Sequence, residues 1–497
     1  MRVLIAMMLL CLPLQAAIAE EADTDNRPNI LWIIPEDVSP WMAAYGDETV
    51  QTPALDRMAE EGVTFLKAFA NVPICSPVRS SLMTGRWAVS TGVHNHRRSR
   101  DSKGRDAIYL EEGTKALPSI FMDNGYETFN IGKDDYNFVY NRRDLYSAGP
   151  DEVEGHIGDK NGPDFPWEKL AEGKPFFGQI QLRGGKARGK VDVELDSSKI
   201  DMPPYYPDTK LFRKRWEDHY RSIVDTDAEV AEIFEKLEAS GEADNTAVFF
   251  ISDHGFPMLR HKQFLYDGGV HVPVFVWYPN GQKQIQKYGS RRNELISTID
   301  LSAAALELAG IDIPDYFDGR SLFGDAIEPR QYVPLSRDRG DFTFDQIRAV
   351  RTDKYKYIRN KYPDVPYMQP SYRDGWPVTK EYFQLKKEGK LTPEQALFIA
   401  DTRPAEELYD LDADPHEVKN LADDPTYASV LARMSSTLDG WILISGDKGQ
   451  VEETETEIAA VVARWGDKCV DRRCVEYRAK YGDEEPAGAT GVIQEGK

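Results

Sequence analysis

The sequence predicts an α/β fold: a large, mainly parallel sheet flanked by helices on both faces, followed by a smaller C-terminal α+β domain with an antiparallel sheet and a helix. Three observations predict it. From residue 28 to about 310, short apolar runs alternate with amphipathic helical stretches. Each of several apolar runs ends in a cluster of polar residues, where open α/β sheets hold their ligands. After about residue 345 the rhythm changes to basic and aromatic alternation. With 497 residues, the chain is long enough for both units. The expected division is a leader at 1–19, a large α/β domain at 20–345, and a small α+β domain with a tail at 346–497.

Asn29 to Ile34 is a continuous apolar run between Pro28 and Pro35, as a buried parallel strand requires, and Glu36 and Asp37 follow it. Thr52-Pro53 starts a helix that Gly62 stops. Val63 to Ala70 is a strand leading to Cys75. Leu117 to Asn124 reads as a helix and Tyr126 to Ile131 as a strand that ends in Gly132-Lys133-Asp134-Asp135. Phe176 to Leu182 repeats the scheme and ends in Arg183-Gly-Gly-Lys186. A long amphipathic helix covers Lys210 to Ala239. It feeds Ala247 to Ile251, which ends in Ser252-Asp253-His254-Gly255. Val272 to Trp277 is a further strand, and Leu295 to Ala309 a helix closed by Gly310. Ile347 to Arg359 has the alternation of a half-exposed strand, and Tyr427 to Ser445 that of a helix lying on the C-terminal sheet.

Met1 to Ala19 has the build of a secretory signal: Arg2, an apolar run from Val3 to Leu14, and Ala17-Ile18-Ala19 as a cleavage site. That run is too short to span a membrane. An exported protein, periplasmic or secreted, is therefore expected. Cys469 and Cys474, close together near the C-terminus, are expected to be bonded in an oxidising compartment. The net charge of −22 speaks against a nucleic-acid binder. It says little about the local site, because basic residues cluster at Arg97, Arg98 and Arg100 and again at Arg183, Lys186, Arg188 and Lys190.

The densest motif is Cys75-Ser-Pro77-Val-Arg79-Ser-Ser-Leu-Met-Thr84-Gly85. Pro77 suits the first turn of a helix, which places Cys75 at a helix N-terminus, where free N–H groups favour a developing anion. The motif resembles the signature of type I sulfatases, in which this Cys is oxidised to Cα-formylglycine. The resemblance covers about residues 28 to 480. Pro203-Pro-Tyr-Tyr-Pro-Asp208 and Arg403-Pro-Ala-Glu-Glu407-Leu-Tyr-Asp are similar to segments of heparan N-sulfatase (sulfamidase) and its bacterial polysaccharide-sulfatase relatives.

The resemblance implies one divalent cation, calcium first and magnesium second, held by Glu36, Asp37, Asp253, His254 and residue 75, a donor set that suits a hard ion. It implies that the hydrated aldehyde attacks sulfur, that Arg79 holds it, and that Lys133 and Lys262 neutralise sulfate oxygens. It also implies a formylglycine-generating or anaerobic sulfatase-maturing enzyme as partner, and a sulfated carbohydrate as substrate, with His94, Arg97, Arg183 and Lys186 as candidate contacts. Three positions depart from the family pattern: Glu36 replaces an Asp, and Asp135 and Lys186 replace His. The leaving-group acid must then come from elsewhere. His94, His96, His219, His261 and His271 are candidates, with His261 preferred beside Lys262. Alternatives are an N-sulfoglucosamine sulfohydrolase, a phosphate or phosphonate ester hydrolase of the same superfamily, and a non-catalytic calcium-containing glycan-binding protein. Tyr362, Tyr367, Tyr372 and Trp376 could form a sugar platform or pack between domains.

Overall fold

The computed structural model describes residues 27–96, 107–148, 174–187 and 200–482, apart from short gaps at 282–283, 286–288 and 325–326, together with isolated positions between 191 and 198. Eleven strands among the described residues form two sheets. The large sheet contains β1 (Asn29–Pro35), β2 (Val63–Phe69), β3 (Glu127–Ile131), β4 (Phe176–Leu182), β5 (Thr246–Ile251), β6 (Val274–Trp277) and β7 (Ser290–Ser297). Their order is β3-β4-β1-β5-β6-β2-β7.

The pairs β3–β4, β4–β1, β1–β5 and β2–β7 are parallel, whereas β6 runs antiparallel to both of its neighbours. The sheet is therefore mixed, with one reversed strand. Because β6 is reversed against both β5 and β2, those two run in the same sense as β1, β3 and β4. β7 is parallel to β2 and shares this sense, so six carboxyl ends open on one edge, where the loops after β1 to β5 carry polar residues.

Buried side chains alternate between the two faces of the sheet. Leu31 and Ile33 of β1 join the core that contains Phe212, Trp216, Ile223 and Val230 of the Lys210–Ala239 helix. Ile30, Trp32 and Ile34 join the opposite core with Val78, Leu82 and Met83 of the Cys75–Thr84 helix and Leu301 to Leu308 of the Asp300–Leu308 helix. Helices thus cover both faces, as the sequence predicts. One expectation needs correction: Leu295 to Ser297 do not begin the helix. They complete β7, where Leu295 and Ile296 pair with Lys67 and Ala68 of β2.

The second sheet is antiparallel, in the order β11-β10-β9-β8, with β8 (Val333–Arg337), β9 (Ile347–Arg351), β10 (Tyr355–Asn360) and β11 (Glu406–Asp410). Its first strand lies ahead of residue 345. The expected single strand at 347–359 is two strands joined by a turn in which Thr352 N–H donates to Tyr355 O at 2.8 Å. These strands are mostly buried rather than half-exposed. One face packs Val350, Tyr357 and Leu408 against Met434, Leu438 and Trp441 of the Ala428–Ser445 helix. Beyond it, the helices Glu455–Trp465 and Arg472–Tyr481 form a hairpin closed by the Cys469–Cys474 disulfide. Among the described residues no helix is long and apolar enough to cross a membrane.

The two sheets are joined by buried ion pairs. Lys356 of β10 is fully buried; its Nζ lies 2.7 Å from Glu417 Oε1, donates to Leu265 O at 3.0 Å, and also bonds Asp267. Replacing it leaves two carboxylates in the interior without their shared cation. Lys356→Met should lower unfolding stability by about 3–5 kcal/mol, read from urea denaturation of the full chain. A change below about 1 kcal/mol would show that this pairing does not join the sheets.

Candidate functional site

The Cys75–Thr84 helix starts where the sequence predicts, with Ile74 extended at its cap and Gly85 left-handed at its end (φ 63°). All ten of its residues are buried. Ser80 Oγ donates back to Ser76 O and accepts from Asn137 N–H at 2.7 Å, which ties the helix to the loop after β3. Cys75, 4% exposed, lies at the first turn with its thiol facing the other strand ends. This thiol is the encoded side chain, so Sγ stands where any oxygen derived from it would begin.

Five groups surround Sγ. His254 Nε2 and Lys262 Nζ each lie 3.3 Å from it. Asp37 and His254 form one potential ligand group with Cys75, and Glu36 and Asp253 form another, each with ligand atoms within 4.8 Å of one another. His254 Nδ1 is 3.1 Å from Gly255 O. A carbonyl only accepts, so Nδ1 donates to it; Nε2 faces the centre, 3.1 Å from Asp37 Oδ1, and against the opposing effect of burial Asp253 and Asp37 raise the ring's pKa. Arg79, one helical turn after Cys75, donates from Nε to Asp253 Oδ2 at 3.2 Å and from a terminal nitrogen to Gln181 Oε1 at 2.6 Å; its other terminal nitrogen lies 3.5 Å from Glu36.

The cations come from three further loops. Lys133, after β3, bonds Glu36 and lies 3.3 Å from Asp135. Lys186, after β4, bonds the second oxygen of Glu36 and lies 3.8 Å from Asp37 Oδ2. Lys262 donates to Asp37 Oδ1 at 2.8 Å. Arg79, Lys133, Lys186 and Lys262 thus match Glu36, Asp37, Asp253 and Asp135 one for one. Burial alone would raise the Asp37 carboxyl, but Lys262, Lys186 and His254 hold it well below the usual range. Burial would also raise the Cys75 thiol, yet Lys133, Lys262 and His254 bring it down to about 6. The centre therefore stabilises an anion at residue 75.

These residues fit a hard divalent cation. Three buried carboxylates and one imidazole nitrogen converge, and Asp37 Oδ2 is buried without a hydrogen bond. Asp37 and Asp135 both have left-handed backbones (φ 58° and 55°), a strain typical of functional loops. The glycine pair after β4 makes the approach possible. Gly185 N–H donates to Glu36 O at 2.7 Å, and a Cβ on Gly185 would lie 2.2 Å from Asp37 O.

The other candidates fall elsewhere. His261 Nε2 lies 3.0 Å from the Tyr205 hydroxyl, and Trp41, Trp216 and Phe256 ring it edge-on. Burial, with Arg260 and Arg373 nearby, pushes its pKa to about 3, so it carries no proton to give at neutral pH. This corrects the expectation that it is the leaving-group acid. His219 stacks on Phe256 and burial holds it neutral, His271 bonds Leu66 O, and His96 pairs with Asp341 at 2.9 Å. His94 is buried within electrostatic reach of Asp447 of the C-terminal part. Arg183 caps the short turn that carries Lys186. Arg97 lies outside the described residues, as do Arg188, Lys190 and the leader.

Sequence reasoning missed Gln181 and Asn130. Gln181 Nε2 donates to Asn130 Oδ1 at 2.9 Å, so Arg79 is held by a buried amide pair spanning β4 and β3. The signal was present: two amides inside otherwise apolar strands need a buried partner.

A sequence profile described as Sulfatase matches residues 28–311. The chain is 30% identical over 477 residues to an ulvan-active sulfatase of Formosa agariphila, covering 88% of this chain and 78% of that protein. It is 24% identical over 488 residues to the human N-sulphoglucosamine sulphohydrolase, covering 84% and 90%. In fold it is similar to the structure of a 2-O GAG sulfatase, with a TM-score of 0.61 at 23% identity, covering 86% of this chain and 94% of that one.

Gly185→Ala tests how tightly the strand-end loops interlock. The added methyl meets backbone rather than a flexible side chain, so the variant should lose about 1–3 kcal/mol of unfolding stability, measured by urea denaturation. A variant as stable as the parent would show that the Glu36–Asp37 segment is free to move.

Proposed function

The chain belongs to the sulfatase family and is a sulfuric ester hydrolase; on that premise we propose that it removes sulfate from a sulfated carbohydrate at the Cys75 centre, after Cys75 has become Cα-formylglycine. The observation that carries the reading is the meeting, at the carboxyl ends of parallel strands, of three carboxylates, one imidazole and four cations around a buried Cys75. The relatives named for ulvan and for N-sulphoglucosamine support a carbohydrate substrate.

Glu36, Asp37, Asp253 and His254 would hold one divalent cation, calcium before magnesium, because the oxygen donors outnumber the single nitrogen. When bound, that ion supplies Lewis acidity next to residue 75. The formylglycine supplies, in its hydrated form, the nucleophilic oxygen. The remaining work belongs to the chain's own side chains. Arg79, fixed by Asp253 and Gln181, orients the group at position 75. Lys262 and Lys133, already at Sγ and at Glu36, lie where sulfate oxygens gain charge, and fixed ammonium groups there stabilise the transition state. Lys186, its side chain 39% exposed, is the most solvent-facing of the four cations and can turn from Glu36 towards an incoming sugar. Asp135 stands beside Lys133, placed to accept a hydrogen bond from a sugar hydroxyl.

Export is part of the same proposal. The Met1–Ala19 stretch supports it, and the Cys469–Cys474 disulfide suits an oxidising compartment. The maturing enzyme would act on the Cys-x-Pro-x-Arg core before or during export.

Three experiments test the reading. The peptide carrying residue 75, isolated from a host that matures other sulfatases, should have the mass of formylglycine; unmodified Cys alone would remove the catalytic reading. In matured protein, Asp253→Ala should abolish both the single bound divalent ion, seen by elemental analysis, and turnover. Lys186→Ala should slow desulfation of a sulfated oligosaccharide on the order of a hundredfold. Aryl sulfates, with their better leaving groups, should be slowed less. Equal losses on both substrates would place Lys186 at the sulfate rather than at the sugar.

A further inference from the structure

The four aromatic residues that the sequence offers as a sugar platform separate in the fold. Tyr367 is core, stacked on Phe398 at 6.0 Å, and Tyr362 packs against Phe344. Tyr372 and Trp376 instead belong to one turn, closed by Asp374 N–H to Ser371 O at 3.1 Å and Trp376 N–H to Arg373 O at 2.9 Å. Arg373, buried beneath that turn, donates to the backbone carbonyl of Lys262 at 3.0 Å and to that of Met258 at 3.3 Å. The turn is thus fastened to the segment that carries the cation beside Cys75.

What the turn presents to solvent has a definite chemistry. Tyr372 is 41% exposed, and its ring meets Trp376 edge-on at 5.7 Å. The Tyr372 side chain lies within electrostatic range of Lys262. Trp376 lines a cleft of about 370 Å³ together with Lys214, Arg215 and Asp218 of the long helix. The Arg215 guanidinium lies 5.1 Å from the centre of the Trp376 ring. Among the described lining residues two cations stand beside one carboxylate, on a chain of net charge −22. The Lys214–Asp218 pair, 3.0 Å apart with Lys214 69% exposed, is of the kind that contributes little and exchanges readily.

We propose that Tyr372, Trp376, Arg215 and Lys214 form a second sugar subsite. It holds an anionic residue, sulfated or uronic, neighbouring the residue whose sulfate lies at the Cys75 centre. Aromatic faces accept the C–H face of a pyranose, and the guanidinium and ammonium receive its sulfate or carboxylate. The catalytic lysine and the aromatic turn are held together through Arg373, so the two subsites keep a fixed spacing. The proposal rests on the sulfatase reading above and extends it from a single sulfated sugar to an oligosaccharide.

The test uses the full chain carrying Cys75→Ala, which binds without turnover. Titration calorimetry compares sulfated hexasaccharides cut from ulvan and from heparin with the sulfated monosaccharide of each. The expected result is tighter binding of one hexasaccharide than of its monosaccharide. Adding Tyr372→Ala or Lys214→Glu should remove about tenfold of that advantage while changing monosaccharide affinity less than twofold. Trp376→Ala is a third variant, and exposed Lys214 keeps the test valid if the Trp variant does not fold. No advantage of length, or an advantage that both variants retain, overturns the subsite. Failure of the sulfatase reading would look different: protein with formylglycine verified at residue 75 would desulfate neither ulvan nor heparin fragments.

Discussion

Everything at the catalytic edge depends on compensating buried charge. Glu36, Asp37 and Asp253 are fully buried, where isolated carboxylates would take up protons rather than stay ionised. They stay anionic because Arg79, Lys133, Lys186 and Lys262 are delivered to them from separate segments. The arrangement is reciprocal: burial that would strip a proton from Lys262 is outweighed by Asp37 and residue 75, which hold the ammonium charged. A divalent ion added to this balanced set leaves an excess of positive charge, the condition an incoming sulfate requires.

The sheet supplies the positions at which this balance is struck. Six strands with a common sense end at one edge, and the loops described there interlock. Gly184 and Gly185 pass over the backbone of Glu36 and Asp37 where no Cβ fits, and Ser80 of the Cys75 helix holds the loop that carries Lys133. The C-terminal part reaches the same edge from outside. Gln263, next to Lys262, donates to Asp341 at 3.3 Å, while Arg339, two residues earlier, pairs with Glu453 and Asp471 of the disulfide-closed hairpin. The small sheet and its helices therefore brace the segment that carries Lys262.

What the sequence revealed was what local chemistry encodes. Cys75 at a helix start, Arg79 one turn later on the same side, and acidic pairs after apolar runs follow from periods of 3.6 and 2 residues and from strand-end logic. The parts hidden from it are non-local. That β6 is reversed depends on which strands lie beside it, and Leu295 to Ser297 are strand because Lys67 to Phe69 pair with them. His261 looked like an acid because it adjoins Lys262. A backbone step turns its ring away into an aromatic box, and burial there removes its charge. Gln181 gave a weaker signal, a polar residue in an apolar strand whose partner could be found only in space.

The near-complete enclosure of Cys75 also dictates a chronology. Residues 75 to 84 are buried without exception, so an enzyme needing to grip this stretch as an extended peptide would find nothing to hold once the domain has closed. On the proposed maturation, conversion of the thiol would run ahead of folding, in a race between the modifying partner and collapse of the sheet. A chain that folded first would keep its sulfur, and could re-enter the race only by unfolding.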